Sequence, residues 1–384
     1  MLKDVKLKKA LKSTIFPVLT FLNKFIPKKD EYILLYSANG GICHNLVPIK
    51  NYLLQEGYDK KYKIICGVEK MAYAEDEKRV KFVPQIVAML YFFVTKHVYY
   101  TTGQIPIKPS KKQVVVMLHH GTTSYKTVGA WTQINNGDEF HFTHFTVPSP
   151  IYAPIYQQQY LCNAENIVIN GEPVNDIFYQ PYEKYDLGDF KKVGVWAPTF
   201  RQSESLGYND SSEGILPLFD QEDYENLNEQ LRKRDIKLIV KLHPEQDLTG
   251  CDKRFFSNLE IYSHAEFRKK GYELYTLLKQ SDFLVADYSS VPLQYLLLDR
   301  PIAFVLSDME EYKQRRGFIF KNVLDYMPGH KANTKEELYA FFEDMIQERD
   351  DYKAERERVR NVIHAYQDGN NCARALEIGQ VTLP

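Results

Sequence analysis

The sequence has few cysteines, and they lie far apart. The five are Cys43, Cys66, Cys162, Cys251 and Cys372, and no two of them form a CxxC pair. Zinc sites and disulfide frameworks both need cysteines at close and regular spacing, so neither is indicated. The spacing predicts reduced thiols in a cytosolic protein.

An excess of charge of either sign is also missing. The 384 residues include 49 lysines and arginines against 50 aspartates and glutamates. A protein that binds nucleic acid through its overall field carries a clear surplus of basic residues. No nucleic acid partner is therefore predicted.

Long apolar runs are absent as well. The longest candidate, "FVPQIVAMLYFFV" at 82–94, includes Pro84 and Gln85. It is shorter than the ~20 apolar residues that span a bilayer. The N-terminus has no apolar core with a small-residue cleavage site, so a signal peptide is not predicted either. We expect a cytoplasmic protein.

Residues 1–30 combine a lysine cluster with apolar residues at helical spacing. Pro17 should divide this segment into two short helices. Two interpretations stay open: a helix lying on an anionic membrane surface, or a helix packed on its own domain. One helical face holds the apolar residues Leu7, Leu11, Ile15, Val18 and Leu22, and the lysines Lys6, Lys9 and Lys12 point away from it.

From residue 31 onward, short apolar runs alternate with helical stretches. Runs such as "QVVVMLHHG" and "IKLIVKLHP" are typical of buried parallel strands in βα units. At this length two α/β domains are expected, one at 31–178 and one at 190–360. The stretch 202–218 is predicted to be an exposed loop. The stretch 356–380 is predicted to form two helices broken at Asp368-Gly369, and residues 361–384 are assigned to a C-terminal helical segment.

Functional residues should lie where the strands end, because ligands of open parallel sheets bind there. Four strand ends carry polar groups: "HHG", "WAPTFR", "KLHP" and "DYSS". Of the adjacent His119 and His120, alternation along a strand allows only one to face a cleft, and His120 is the better candidate. A structural role is the alternative for either histidine.

A phosphate is the ligand that the second domain suggests. Ser289 and Ser290 precede a leucine-rich helix, where they are expected to cap the helix start and leave backbone N–H groups for an anion. Ordinary capping without a ligand is the alternative. Cations at other loop ends favour phosphate, and arginine can bind it in bidentate fashion. These cations are Arg201, Lys241, His243, Arg315 and Arg316.

No Walker motif, no GxGxxG and no carboxylate pair at metal-ligand spacing occurs. The residues themselves thus indicate a two-domain α/β enzyme that binds a phosphorylated ligand. Neither a cofactor nor a metal is implied.

Several motifs together resemble a known family. The segments "HHGT", "GEPVND", "WAPTFR", "KLHP", "DYSSVPLQYLLLDRPIAFVLSDMEEY", "RRGF" and "MPG" occur in this order. Their order and spacing resemble the CDP-glycerol glycerophosphotransferase family of teichoic acid and capsule synthesis, over about residues 31–375. The chain is short, and in this it resembles the teichoic acid primase branch more than the long polymerases.

The resemblance implies a GT-B architecture of two Rossmann-like domains facing a central cleft, with the acceptor bound mainly by the first and CDP by the second. It implies transfer of glycerol phosphate from CDP-glycerol to a hydroxyl of a prenyl-diphosphate-linked saccharide. The reaction would release CMP at the cytoplasmic face of the membrane. A homo-oligomer is left open.

The resemblance also implies roles for individual residues. The two histidine motifs of the family fall on His120 and His243, which are the implied catalytic residues. The donor-binding set is Thr199, Arg201, Lys241, His243, Ser289, Ser290, Arg316 and Gly317, and the acceptor side is His119, Gly121 and Thr122.

The sequence departs from the family pattern at four places. His119 replaces a tryptophan, and Tyr125 stands where a lysine is usual, with Lys126 next to it. Val174 and Gln294 replace an arginine and an aspartate. Three alternatives therefore remain: the same chemistry with CDP-ribitol or another CDP-polyol, a nucleotide-sugar glycosyltransferase, and a non-catalytic membrane scaffold.

Overall fold

The computed structural model describes residues 14–38, 40–101, 103, 105–121, 123–127, 140–203, 208–243, 246 and 254–383. These residues form two units, each with its own parallel sheet. The first consists of the described parts of Met1–Thr122, Val128–Tyr179 and His364–Pro384, and the second of Thr123–Thr127 and Gln180–Ile363. Residues from His364 onward thus belong to the first unit and do not form a separate segment.

The first unit is built on seven parallel strands in the order β3-β2-β1-β4-β5-β6-β7. The strands are β1 Lys29–Tyr36, β2 Lys63–Val68, β3 Val80–Pro84, β4 Thr95–Tyr100, β5 Val114–Met117, β6 His144–Val147 and β7 Ile167–Ile169. The helices of this unit are α1 Ile15–Asn23, α2 Leu46–Gln55, α3 Gln85–Val94, α4 Ala153–Tyr160 and, after the second unit, α12 Asn371–Ile378.

Strand β3 is the one element of this sheet that the apolar runs do not predict. The run at 82–94 contains the end of a strand followed at once by a helix, since Pro84 closes β3 and Gln85 opens α3. Proline has no N–H for the sheet, and it precedes a helix without cost. In the sequence, the strand and the helix therefore appear as one continuous apolar run.

The last helix completes the core of the first unit. Cys372, Ala375 and Leu376 of α12 pack in the same buried cluster as Ile33 of β1 and Tyr99 of β4. The Tyr99 hydroxyl donates to the Leu376 carbonyl at 3.4 Å. The predicted break at Asp368-Gly369 is confirmed, because Gly369, with a φ of +71°, lies between the helix Lys353–Ile363 and α12.

The second unit has six parallel strands in the order β12-β11-β8-β13-β14-β15. Numbered within the unit this is the 3-2-1-4-5-6 order of a Rossmann fold. Its strands are β8 Lys192–Trp196, β11 Ile236–Lys241, β12 Leu259–Tyr262, β13 Phe283–Ala286, β14 Ile302–Val305 and β15 His330–Ala332. Its helices are α5 Tyr224–Lys233, α6 His264–Lys269, α7 Leu274–Gln280, α8 Val291–Tyr295, α9 Met309–Arg315, α10 Lys335–Ile346 and α11 Lys353–Ile363.

The prediction of an exposed loop at 202–218 is wrong in its described part. Strands β9 (Gln202–Ser203) and β10 (Tyr208–Asn209) form an antiparallel pair there. Asp210, Ser211 and Leu216 are buried. Two of its polar residues, Asp210 and Ser211, are thus buried, and composition alone does not separate buried polar residues from exposed ones.

Helix α1 is the described part of the predicted N-terminal amphipathic segment. Pro17 lies in its first turn, where proline is tolerated because the N–H has no helical partner. The helix therefore continues through Pro17. Lys6, Leu7, Lys9, Leu11 and Lys12 lie outside the described residues.

Candidate active site

The histidine pair lies in the turn after β5. His119 has a left-handed backbone with a φ of +56°. The side-chain amide of Asn45, at the start of α2, donates to the carbonyls of Leu118 and His119 at 3.1 Å each. These bonds fix a turn in which His119 is buried and His120 is exposed.

His119 is part of an aromatic cluster in the first unit. Its ring centroid lies 6.1 Å from that of Phe145, 5.9 Å from that of Tyr156 and 5.7 Å from that of Tyr160. Burial lowers the pKa of His119 to about 4, so the ring is neutral at pH 7. Its Nδ1 lies 2.8 Å from the Gly121 carbonyl and donates to it. The ring at this position is therefore uncharged and packed among aromatic side chains.

A third histidine, which the sequence analysis does not single out, lies beside His120. The ring centroid of His44 is 5.7 Å from that of His120, and both side chains are exposed. His44 lies in the turn between β1 and α2 with a φ of +51°. His44 directly precedes Asn45, whose side chain binds the turn after β5. The rings of His44 and His120 are therefore held close together. Of the predicted acceptor-side residues, Gly121 has a φ of +145° and Thr122 lies outside the described residues.

In the second unit, Asp287 at the end of β13 is the centre of a buried network. It accepts hydrogen bonds from the Thr199 backbone at 2.9 and 3.0 Å and from the Thr199 hydroxyl at 2.7 Å. The backbone N–H of Ser289 also donates to it, at 3.2 Å. Asp287 thus ties the end of β8 to the end of β13, the pair of strands at which the strand order reverses.

Arg201 belongs to the same network and is completely buried. It forms an ion pair with Asp287, and its Nε donates to Asp308 at 2.9 Å. Its Nη1 also donates to the Thr199 carbonyl at 2.7 Å, and its Cζ lies 5.5 Å from the ring centroid of Tyr288. Burial by itself lowers the pKa of Arg201, but the two carboxylates outweigh it and raise the pKa. All three guanidinium nitrogens already donate, the third weakly at 3.3 Å to Asp308.

The two serines of "DYSS" differ from the capping prediction. Ser290 is the N-cap residue of α8, as its position predicts, but its side chain accepts no capping hydrogen bond in the described structure. The Ser289 hydroxyl donates to the Ala197 carbonyl at 3.4 Å. Asp287 accepts the N–H of Ser289, the residue before the N-cap, so it fixes the turn that leads into α8 but does not cap the helix itself.

A short segment after the histidine pair brings a lysine into the second unit. Residues 123–127 pair with the chain after α9: Lys126 bridges to Phe318, and the Ile319 N–H donates to the Tyr125 carbonyl at 2.9 Å. The Thr127 hydroxyl donates to the Arg316 carbonyl at 2.7 Å. This pairing fixes Lys126 next to Arg316.

Lys126, Arg316 and Asp210 form a charged cluster close to the Asp287 network. Arg316 Nη1 lies 3.9 Å from Asp210 Oδ2. Burial lowers the pKa of Lys126 to about 8, with Arg316 and Arg201 adding to the decrease and Asp287 and Asp210 opposing it. Gly317 supplies a φ of +79° directly after Arg316, which turns the chain into the pairing with Thr127.

The remaining predicted donor residues end strand β11. Burial lowers the pKa of Lys241 to about 8, and Glu273 opposes the decrease. The ring centroid of His243 lies 4.6 Å from that of Phe200. Glu273 is thus the acidic residue that acts on Lys241, whereas Asp287 acts on Lys126. The two lysines have different charged neighbours.

The comparisons with known proteins identify the family. Residues 18–378 match the model of the CDP-glycerol:poly(glycerophosphate) glycerophosphotransferase family. The chain belongs to this family. The predicted resemblance is thereby confirmed.

Curated relatives in the family are proteins of teichoic acid synthesis. The chain is 26% identical over 360 residues to the teichoic acid poly(ribitol-phosphate) polymerase of Bacillus spizizenii, covering 84% of this chain and 55% of that protein. It is 31% identical over 204 residues to the teichoic acid glycerol-phosphate primase of Bacillus subtilis, covering 51% of this chain and 48% of the primase. The chain spans about half the length of these relatives.

Solved structures of the wall teichoic acid polymerase TagF share the fold. One TagF structure has a TM-score of 0.70 at 18% identity, and the match covers 97% of this chain and 93% of the chain in that structure. A variant soaked with CDPG has a TM-score of 0.74, also at 18% identity, with coverages of 96% and 93%. The predicted class, GT-B with two Rossmann-like domains, is confirmed. No helix in the described parts of this chain is long and apolar enough to cross a membrane.

Proposed function

We propose that this protein transfers glycerol phosphate from CDP-glycerol to a hydroxyl of a prenyl-diphosphate-linked saccharide, in teichoic acid or capsule synthesis, with release of CMP. Family membership and the primases among the relatives support this function. CDP-ribitol is the second candidate donor, since other relatives are named as ribitol-phosphate polymerases. The enzyme would act at the cytoplasmic face of the membrane.

The observation that carries the proposal is the cation pair Lys126 and Arg316 at the carboxyl edge of the second sheet. These cations lie near Asp287, at the ends of the neighbouring strands β8 and β13, where the strand order reverses and ligands of Rossmann folds bind. A diphosphate needs cations that are close together and partly shielded from water. Lys126 and Arg316 are both half-buried and fulfil this requirement.

In the proposed reaction, His120 takes the proton of the acceptor hydroxyl. The acceptor oxygen forms a bond to the phosphorus that bears the glycerol, and the bond between this phosphorus and the bridging oxygen breaks. CMP leaves with the bonding electrons. Lys126, Arg316 and His243 stabilise the negative charge that grows on the leaving phosphate.

We assign Arg201 and Thr199 a positioning role. Each binds Asp287, and the guanidinium of Arg201 is fully engaged with carboxylates and a carbonyl. Contact of Arg201 with a phosphate would require exchange of these buried bonds, which is costly. The network instead holds the "WAPTFR" and "DYSS" strand ends in one geometry, where Ser289, Ser290 and Lys241 remain proposed donor contacts.

The experiment that tests the function is a donor panel scored for the released nucleotide. Purified protein is incubated with a lipid-linked disaccharide and with CDP-glycerol, CDP-ribitol or a UDP-sugar. We expect CMP and a labelled lipid product with CDP-glycerol. Release of UDP from the sugar nucleotide would support a glycosyltransferase instead, and no turnover or binding of any CDP-polyol would refute the proposal.

Removal of either cation should weaken donor binding. We expect Lys126→Met and Arg316→Ala each to raise the Kd for CDP-glycerol about 10- to 100-fold, since hydrogen bonds to charged groups contribute about 1.5–3 kcal/mol. His243→Ala should raise the same Kd and slow turnover. Isothermal titration calorimetry measures the affinities, and unchanged affinity in all three variants would place the phosphate site elsewhere.

The lowered pKa of Lys126 predicts a pH dependence of donor affinity. Below pH 8 the ammonium is charged and attracts the diphosphate, and above pH 8 it loses its proton. The Kd for CDP-glycerol should therefore rise as pH increases from about 7 to about 9.5, by at most about tenfold per pH unit. Lys126→Met should weaken the dependence, and Lys126→Met/Lys241→Met should abolish it, because Lys241 is also a proposed donor contact and has a pKa of about 8. Lys28→Met is the matched control, because Lys28 also has a pKa of about 8 but belongs to the first unit, and this variant should retain the dependence.

A further inference from the structure

Asp210 is a buried acidic residue among the cations of the second unit. It directly follows β10, and its backbone N–H donates to the Arg201 carbonyl at 2.8 Å. The residue is 4% exposed. Its Oδ2 atom is buried and accepts no hydrogen bond from the residues that the structure describes. Buried polar atoms without a partner are rare in folded proteins, so this oxygen indicates a missing donor group.

Helix α9 fixes the positions of Asp210 and of a neighbouring cation. Glu311 of α9 accepts hydrogen bonds from the Ser212 backbone and hydroxyl at 2.9 Å each, which holds the chain two residues after Asp210. Arg316 directly follows the last residue of α9. Arg316 Nη1 lies 3.9 Å from Asp210 Oδ2, and this distance is too long for a hydrogen bond. The carboxylate oxygen is thus held beside a cation without a hydrogen bond between these two atoms.

Neutralisation of the cations does not by itself explain this geometry. A buried carboxylate that neutralises a cation usually forms direct, charge-assisted hydrogen bonds with it, as Asp308 does with Arg201 Nε at 2.9 Å. Burial raises the pKa of Asp210, and Arg316 and Lys126 oppose the increase, so both cations lie near the carboxylate. Asp210 Oδ2 therefore has an acceptor capacity that a ligand on these cations can use.

The chemistry of a carboxylate identifies the group that Asp210 takes. An ionised carboxylate only accepts hydrogen bonds, and it repels a phosphate. Beside phosphate-binding cations its ligand is therefore a hydroxyl group of the donor. A CDP-polyol carries hydroxyls at both ends of its diphosphate, on the ribose and on the polyol. Lys126 is six residues after the proposed base His120, which acts at the phosphorus that bears the polyol, so we assign the polyol end.

We propose that Asp210 binds a hydroxyl group of the polyol and thereby determines which CDP-linked donors the enzyme accepts. This inference rests on the proposed function, because it assumes a CDP-polyol bound to Lys126 and Arg316. Arg316 is half-buried, and its movement onto the donor phosphate would open Asp210 Oδ2 to the polyol. A site that accepts a hydrogen bond from a hydroxyl rejects analogues without one, since its buried oxygen then has no partner.

The test compares two ligands in the wild type and in Asp210→Ala. One is CDP-glycerol, and the other is the propyl ester of CDP, which has the same carbon chain without free hydroxyls. We expect the wild type to bind CDP-glycerol about 10- to 100-fold more tightly than the propyl ester, as for a hydrogen bond to a charged group. Asp210→Ala should bind both ligands equally. A wild type without this preference, or a variant that keeps it, would show that Asp210 does not bind the polyol.

CDP alone separates the polyol from the ribose. Asp210→Ala should bind CDP at least as tightly as the wild type does, because the substitution removes a negative charge beside two cations. Calorimetry at about pH 6.5 keeps Lys126 charged in both proteins, since its pKa is about 8 and Asp210 supports its charge. If CDP and CDP-glycerol lose affinity equally, Asp210 contacts the ribose or supports the site as a whole, and the assignment to the polyol is wrong.

Two further variants control for folding and net charge. Asp210→Asn keeps the shape of the side chain and a neutral acceptor, so it should retain part of the preference for CDP-glycerol. Full wild-type preference in this variant would contradict the proposal even if Asp210→Ala does not fold. Glu310→Ala removes an exposed carboxylate from α9 and should leave all three affinities unchanged. If it weakens CDP-glycerol binding as strongly as Asp210→Ala, net charge explains the effect and the proposal fails.

Failure of the proposed function has a different signature. If the wild type binds neither CDP-glycerol nor CDP-ribitol, the proposed function is wrong and this inference falls with it. If the wild type binds CDP-glycerol and releases CMP while Asp210→Ala keeps the preference over the propyl ester, only the role of Asp210 is wrong.

Discussion

Replacement of His120 by alanine is expected to slow phosphate transfer about 10²–10⁴-fold, the usual contribution of a positioned general base. The Kd for CDP-glycerol should not change, because His120 belongs to the first unit and the donor cations Lys126 and Arg316 belong to the second. Single-turnover CMP release measures the first quantity, and calorimetry the second. The rate deficit should also be independent of donor concentration.

His119→Phe is the matched control for this experiment. The ring of His119 is buried among Phe145, Tyr156 and Tyr160, and its low pKa keeps it uncharged at pH 7. Phenylalanine preserves the aromatic packing, including the contact with the His120 ring, whose centroid lies 4.1 Å away, and loses the hydrogen bond to Gly121, so activity should stay within about tenfold of the wild type. A loss as large as that of His120→Ala, or an equal loss of donor affinity in His120→Ala, would contradict the assignment of the base.

The neighbouring His44 provides a second comparison. His44→Ala should reduce the rate less than His120→Ala, since His44 lies beside the proposed base and is not itself the base. Because the rings of His44 and His120 are in contact, His44→Ala should also shift the pH–rate profile. An unchanged profile would show that the contact between the two rings has no catalytic consequence.

The fold was largely predictable because its signals are local. Buried parallel strands such as β5 and β11 are continuous apolar runs, and each ends at a polar residue that the sequence shows directly. Strand β3 was not predictable, since Pro84 joins it to α3 without a turn. Strand β15 was missed for the related reason that its three residues, His330–Ala332, include two polar ones.

The candidate site was predictable only in part, because its contacts are distant in sequence. Lys126 is 189 or more residues before its neighbours Arg316 and Phe318, and nothing near Lys126 in the chain indicates this pairing. Arg201 was predicted as a phosphate ligand because it is a cation at a strand end. The charge of Arg201 is neutralised by Asp287 and Asp308, which lie 86 and 107 residues further along the chain. Only the folded chain shows these contacts.

The removal of one carboxylate from the Arg201 network should have the largest effect on stability. Asp287→Ala leaves Arg201 with Asp308 alone and removes the acceptor of the Thr199 and Ser289 hydrogen bonds. Arg201 keeps one carboxylate, but the buried donors of Thr199 lose their acceptor, and each buried polar group left without a partner costs about 1–3 kcal/mol, so the total loss of stability should be several kcal/mol. Urea denaturation followed by fluorescence gives the free energy of unfolding. Glu229→Ala is the matched control, because its pair with Arg232 is exposed on α5 and should contribute little to stability. A loss of the same small size in Asp287→Ala would mean that the network neither supports the second unit nor holds the donor site.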